Sequence, residues 1–119
     1  MSDTTSSQPI PQINVNEFCE QLETADSPPQ LIDVREPNEV EMAYVEGFEV
    51  LPLSQFSQWS DNIHQRFDAD RETFVICHHG VRSQQMCQWL RAQGFTNVKN
   101  IIGGIEAYSV YINPSIPRY

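Results

Sequence analysis

Thr73-Phe74-Val75-Ile76-Cys77-His78-His79-Gly80-Val81-Arg82-Ser83, running on through Gln84-Gln85-Met86-Cys87-Gln88-Trp89-Leu90-Arg91-Ala92-Gln93-Gly94, is the stretch that decides how this chain is built. Its first four residues form a β-branched and aromatic run, which reads as a buried strand. The part from Gln84 onward reads as a helix that Gly94 stops. Cys77 therefore stands where a strand ends and a short loop leads into a helix N-terminus. Residues 78–83 include no proline, so each has a backbone N–H that can turn inward. Such a loop is an anion nest, reinforced by the helix dipole and by the guanidinium of Arg82. A cysteine at its base is expected to act as a nucleophilic thiolate.

Working outward, 119 residues with 39% hydrophobic content fit one compact domain that buries a core without disulfides. A formal charge of −9 argues against nucleic acid and anionic membrane surfaces as partners. Against that field, His78, His79 and Arg82 form a locally basic cluster, so an anionic small substrate has to be captured by the loop itself. The three cysteines, Cys19, Cys77 and Cys87, form no C-x-x-C pair and no metal-type spacing. An odd, sparse set points to a reducing compartment. No apolar stretch approaches the roughly 20 residues of a membrane span. Residues 1–7 have neither the basic and apolar regions of a secretory signal nor the arginines of a transit peptide. The expected location is the cytoplasm.

Strand and helix signals alternate along the chain. Residues 1–11, polar with two prolines, are expected to be a flexible lead-in. A short strand at Ile13 precedes a helix capped by Asn14 or Asn16, with Val15, Phe18, Cys19 and Leu22 on one face. Residues 30–34 form a strand, 36–42 a short helix with Pro37 in its first turn, and 50–51 a brief strand. A helical segment over about 54–67 carries Phe56, Trp59 and Ile63. After the stretch quoted above come a strand near 98–101 and a helix opened by Gly103-Gly104. The domain is thus placed at 12–112, with 113–119 a tail. The fold class is α/β: an open parallel sheet of short strands with helices on both faces. Sites in such sheets lie at the carboxyl ends of strands, where Cys77 falls.

Four segments in order resemble the rhodanese (sulfurtransferase) family, over about residues 12–112. Cys77-His78-His79-Gly80-Val81-Arg82-Ser83 is similar to the family's C-x-x-G-x-R-S loop. Leu31-Ile32-Asp33-Val34-Arg35-Glu36-Pro37 is similar to its first signature. Val45-Glu46-Gly47 with Leu51-Pro52, and Gly103-Gly104-Ile105-Glu106-Ala107-Tyr108, are similar to two further ones. Tyr44, Phe48, Glu49 and Tyr108 depart from the family's usual residues, all outside the loop. The ending Ile112-Asn113-Pro114-Ser115-Ile116-Pro117-Arg118-Tyr119 resembles that of rhodanese domains fused to sulfur-carrier-activating enzymes.

The resemblance implies a sulfurtransferase with Cys77 as nucleophile. Cys77 would take a sulfane sulfur from a small anionic donor such as thiosulfate and hand it to cyanide, a thiol or a sulfur-carrier protein. His78, His79, Gly80, Val81, Arg82 and Ser83 would form the anion-binding loop, with Arg82 receiving sulfonate-like oxygens. Asp33 and Arg35 read as an ordinary strand-end ion pair, or, by the resemblance, as a brace for the site alongside Gly103 and Gly104. Four residues separate Cys77 from Arg82, whereas cysteine phosphatases use five, and no aspartate general acid can be placed. Phosphatase or arsenate-reductase chemistry is therefore the lesser alternative, beside a non-catalytic rhodanese-like interaction module. Cys77, His78 and His79 are too close in a tight loop to converge on one ion, and no fourth ligand is placeable, so no metal or cofactor is called for. Cys87 reads as core packing rather than a resolving thiol, and Cys19 as structural.

Overall fold

The computed structural model describes residues 9–119. Five strands, β1 (Gln12–Ile13), β2 (Gln30–Asp33), β3 (Glu49–Val50), β4 (Thr73–Ile76) and β5 (Val98–Ile101), form one sheet in the order β1-β5-β4-β2-β3. Every pairing is parallel. Six helices connect or follow them: α1 (Val15–Thr24), α2 (Pro37–Met42), α3 (Phe56–Trp59), α4 (Ile63–Arg66), α5 (Val81–Ala92) and α6 (Gly104–Tyr111).

β4 is the central strand and all four of its residues are buried. Because strand side chains alternate, it feeds two separate cores. Val75 and the following Cys77 pack with Trp59, Ile63, Met86, Cys87 and Leu90 on one face. Phe74 and Ile76 pack with Phe18, Phe48, Ile101 and Ile105 on the other. The expected α/β class, with helices on both faces, is what the chain adopts.

Local chemistry explains most boundaries. Asn14 caps α1 through a reciprocal pair: the Glu17 N–H donates to Asn14 Oδ1 at 2.8 Å, and the Asn14 N–H to Glu17 Oε1 at 3.1 Å. Pro37 occupies the first turn of α2, where its missing N–H costs nothing. The helical segment expected over about 54–67 consists of two α-helical turns separated and preceded by tighter 3₁₀ turns at Leu53–Gln55 and Ser60–Asn62. Ser54, Ser57, Ser60, Asp61 and Asn62 are poor interior helix residues because their side chains compete for backbone groups.

Residues 9–11 and the C-terminal tail are more engaged than their composition implies. Of the expected lead-in, residues 1–8 lie outside the described residues, but Ile10 is buried and the Pro11 carbonyl accepts the Asn100 N–H at 2.9 Å. The tail folds back: Ile116 is buried, and Ser109 Oγ donates to its carbonyl at 2.6 Å. That turn delivers Tyr119 to the carboxyl end of the sheet.

Candidate active site

Register sets the site. Asp33 pairs with Ile76, and the Val34 N–H reaches the Ile76 carbonyl at 3.1 Å, so the ends of β2 and β4 lie side by side. Arg35 leaves one strand and Cys77 the other at the same edge of the sheet.

Cys77 Sγ receives the Gly80 N–H at 3.0 Å and lies 3.3 Å from Ser83 Oγ. Gly80 can aim its N–H inward because it has φ +108°, a left-handed conformation that a side chain would oppose. Ser83 Oγ also donates to Asn100 Oδ1, and Asn100 is fixed by its own Nδ2 donating to the Gly80 carbonyl at 3.0 Å and to Gln12 Oε1 at 2.9 Å. A hydroxyl has one proton. While Ser83 gives it to Asn100, Ser83 accepts from the Cys77 thiol. Turned toward sulfur, the same hydroxyl donates to a thiolate. The Ser83 hydroxyl can therefore bond the Cys77 sulfur as donor or as acceptor.

Helix α6 closes the loop from below. The Ile105 N–H donates to the Cys77 carbonyl at 2.9 Å and the Glu106 N–H to the His78 carbonyl at 3.2 Å. This approach requires glycine: a Cβ on Gly104 would fall 2.3 Å from the Cys77 carbonyl oxygen, and one on Gly103 would fall 2.6 Å from Ala107 Cβ. Gly104 thus lets α6 approach the Cys77 loop, and Gly103 leaves room for Ala107 in the first turn of α6.

The electrostatics differ from expectation. Arg82 is paired, its Nη1 and Nη2 donating to Glu39 Oε1 and Oε2 at 2.6 and 2.9 Å. Those bonds hold the Glu39 carboxyl down at about 2 despite partial burial, and raise Arg82 further above its ordinary range. Arg35 is fully buried and spans both oxygens of buried Asp33, with Nη2 at 2.8 Å from Oδ2. It also donates to Tyr119 Oη at 3.1 Å and to the Glu39 carbonyl at 3.3 Å. Asp33, Arg35, Tyr119, Glu39 and Arg82 therefore form one hydrogen-bonded network that reaches into the Cys77–Ser83 loop. Sandwiched between His79 and Tyr119, with ring centroids 3.9 Å apart on each side, His78 has its pKa lowered first by burial and then by His79. Its Nε2 is buried without a hydrogen-bond partner among the described residues. His79 and Val81 are exposed on the outer rim. An open groove of about 480 Å³ runs beside them, lined also by Gly80, Gln84 and Asn100.

Sequence reasoning brought the loop together but missed Glu39, Asn100 and Tyr119. Nothing local separates Glu39 from Glu36 or Glu41. Cys87, fully buried on α5 in the same core as Cys77, has its thiol pushed up to about 12, first by burial and then by Cys77. That agrees with packing rather than thiol exchange.

Comparison with known proteins matches residues 15–110 to the rhodanese-like domain family. The chain belongs to the rhodanese-like family. It is 46% identical over 114 residues to the Arabidopsis thaliana rhodanese-like/PpiC domain-containing protein 12, chloroplastic, covering 94% of this chain and 38% of that protein. It is 31% identical over 117 residues to an adenylyltransferase and sulfurtransferase of Caenorhabditis briggsae, covering 94% of this chain and 29% of that one. The chain thus spans well under half the length of these two relatives. A Staphylococcus aureus rhodanese-like domain protein superposes with a TM-score of 0.73 at 24% identity, covering 92% of this chain and 99% of that one. A human single-domain sulfurtransferase gives 0.71 at 22%, covering 85% and 96%. These likenesses place the fold among single-domain rhodanese-like proteins.

Proposed function

We propose that this domain is a cytoplasmic sulfurtransferase that carries sulfane sulfur as a persulfide on Cys77. The Cys77 thiolate attacks the outer sulfur of a donor such as thiosulfate; the S–S bond of the donor breaks and sulfite leaves with its electron pair. The resulting Cys77–S–S⁻ is attacked at its terminal sulfur by cyanide, a small thiol or a protein thiol, which regenerates the thiolate. Sulfur moves as a neutral atom, so no outside oxidant or reductant is needed.

The observation that carries this reading is the seating of Cys77 Sγ at the end of β4, against the Gly80 N–H and the Ser83 hydroxyl. A cradle of this kind stabilises negative charge on sulfur as it develops. The ring from Cys77 to Arg82 also has four intervening residues, which suits a single sulfur better than a tetrahedral phosphate.

Steady-state kinetics with thiosulfate and cyanide is the test. Parallel double-reciprocal lines are expected, as for a covalent intermediate. Cys77→Ser should abolish turnover without altering circular dichroism or melting, and an aryl phosphate should not be hydrolysed. Turnover that survives Cys77→Ser, or phosphatase activity comparable to sulfur transfer, would overturn the proposal.

A further inference from the structure

Glu39 is the carboxylate that holds the guanidinium of Arg82, at the start of α5 beside the Cys77 loop. Its carboxylate is bound by both terminal nitrogens of Arg82, by the Tyr119 hydroxyl at 2.8 Å and by the Glu36 N–H at 3.0 Å. The side chain is largely shielded, at 14% exposure, and stays ionised at any pH the protein is used at. The other guanidinium at this edge, Arg35, is committed to Asp33. Both of these guanidiniums are therefore balanced by carboxylates, within a chain of formal charge −9.

The two classes of sulfane donor load this site very differently. Thiosulfate is a dianion, so its transition state with the Cys77 thiolate has three negative charges to be accommodated; Cys77–S⁻ and ⁻S–SO₃⁻ become Cys77–S–S⁻ and sulfite dianion. A thiol persulfide reacts with a thiolate as its protonated form, R–S–SH, which brings none of its own. Cys77–S⁻ attacks its outer sulfur, the S–S bond breaks, R–S⁻ leaves, and Cys77–S–SH remains. For thiosulfate to use Arg82, its sulfonate must compete with a carboxylate already seated in two charge-assisted hydrogen bonds.

We propose that Glu39, positioned by Tyr119, is a specificity-determining residue: it occupies Arg82 and thereby turns the site from thiosulfate toward thiol persulfides as sulfur donors. This rests on the sulfurtransferase reading above. Glu39 acts through Arg82, and Tyr119 acts through Glu39, its hydroxyl holding the carboxylate while its ring stacks on His78.

The test is single-turnover loading of Cys77, followed by quenching and intact mass, with thiosulfate and with 2-hydroxyethyl persulfide, whose carrier is uncharged. The wild-type protein should load from the persulfide at least about tenfold faster, the factor one charge-assisted hydrogen bond supplies. Glu39→Gln keeps the acceptor for the Glu36 N–H but frees the charge of Arg82. It should raise the second-order constant for thiosulfate about tenfold, through a lower half-saturating concentration, and raise the thiosulfate-to-persulfide ratio of the two constants by nearly as much. Tyr119→Phe keeps the stack and loosens the carboxylate, so a smaller rise for thiosulfate, about threefold, is expected. A folded Glu39→Gln protein whose thiosulfate constant is unchanged or lower would overturn the proposal. If that variant does not fold, an unchanged constant in Tyr119→Phe overturns it. In either case wild-type loading leaves the sulfurtransferase reading standing, whereas no loading from either donor would sink that reading itself.

Discussion

At the scale of single residues, the site separates two buried cysteines by their surroundings. Cys77 meets an N–H and a hydroxyl, and Cys87 meets hydrocarbon. Cys87→Ala should therefore retain most of the loading rate while losing about 1 kcal/mol of stability in denaturant melts, from a small cavity. A large loss of turnover with folding intact would make Cys87 a resolving thiol instead. Glu39 gives a pH signature. Its folded pKa, about 2, lies below the ordinary carboxylate value of 4.5, so the unfolded chain binds the proton first as pH falls. The stability it contributes is complete above about 4.5 and is lost as pH drops from there toward 2. Thermal melts across that window should show a shallower decline for Glu39→Gln than for the wild type, and parallel curves would contradict the pairing. Residues of the loop were legible in the sequence because they are consecutive and each acts through its neighbours. Glu39 is 43 residues from Arg82, and Tyr119 is 80 from Glu39, so their roles exist only once the chain has folded.

At the scale of elements, the loop is held as much by α6 as by α5. The first amides of α6 bond the Cys77 and His78 carbonyls, and Gly104, at φ +58°, leaves room for that approach. Gly104→Ala should cost about 1–3 kcal/mol, because its backbone conformation is strained and its Cβ meets backbone rather than a yielding side chain. Loading of Cys77 should fall more steeply than the melting temperature suggests, since the displaced atoms are those of the loop, and a displacement near an ångström is enough to cost about a hundredfold in rate. Equal stability and rate in the variant, read by denaturant melts and quenched loading, would show that α6 is not a support. The Gly103-Gly104 pair announced this helix in the sequence, and Asn14 announced α1. The spacing of Phe56, Trp59 and Ile63 marks 53–66 as helical but does not show where the pitch changes between α and 3₁₀ turns, because the apolar spacing survives that change. Those side chains meet their partners either way, with Trp59 stacked edge-on against Phe56 and Trp89 at 5.0 and 5.7 Å.

At the scale of the whole molecule, the sheet was legible from the alternation of short strands with helices, and its two cores follow from the fully buried β4. The wrap of residues 9–11 and the C-terminal tail was not legible. Polar, proline-bearing segments read as solvated, yet Ile10 and Ile116 each supply one apolar anchor that ties such a segment down. The C-terminal wrap brings Tyr119 over His78 and onto Glu39, completing the network behind Arg82. The claim that unites these scales is that this molecule is organised to hold one sulfur atom on one cysteine. The direct measurement is peptide-resolved mass spectrometry after a single exposure to a sulfane donor, followed by cyanide. One added sulfur per chain, confined to the peptide bearing Cys77 and removed by cyanide, is the expected result. Sulfur distributed over Cys19, Cys77 and Cys87, or none on Cys77 from either thiosulfate or a thiol persulfide, would contradict it.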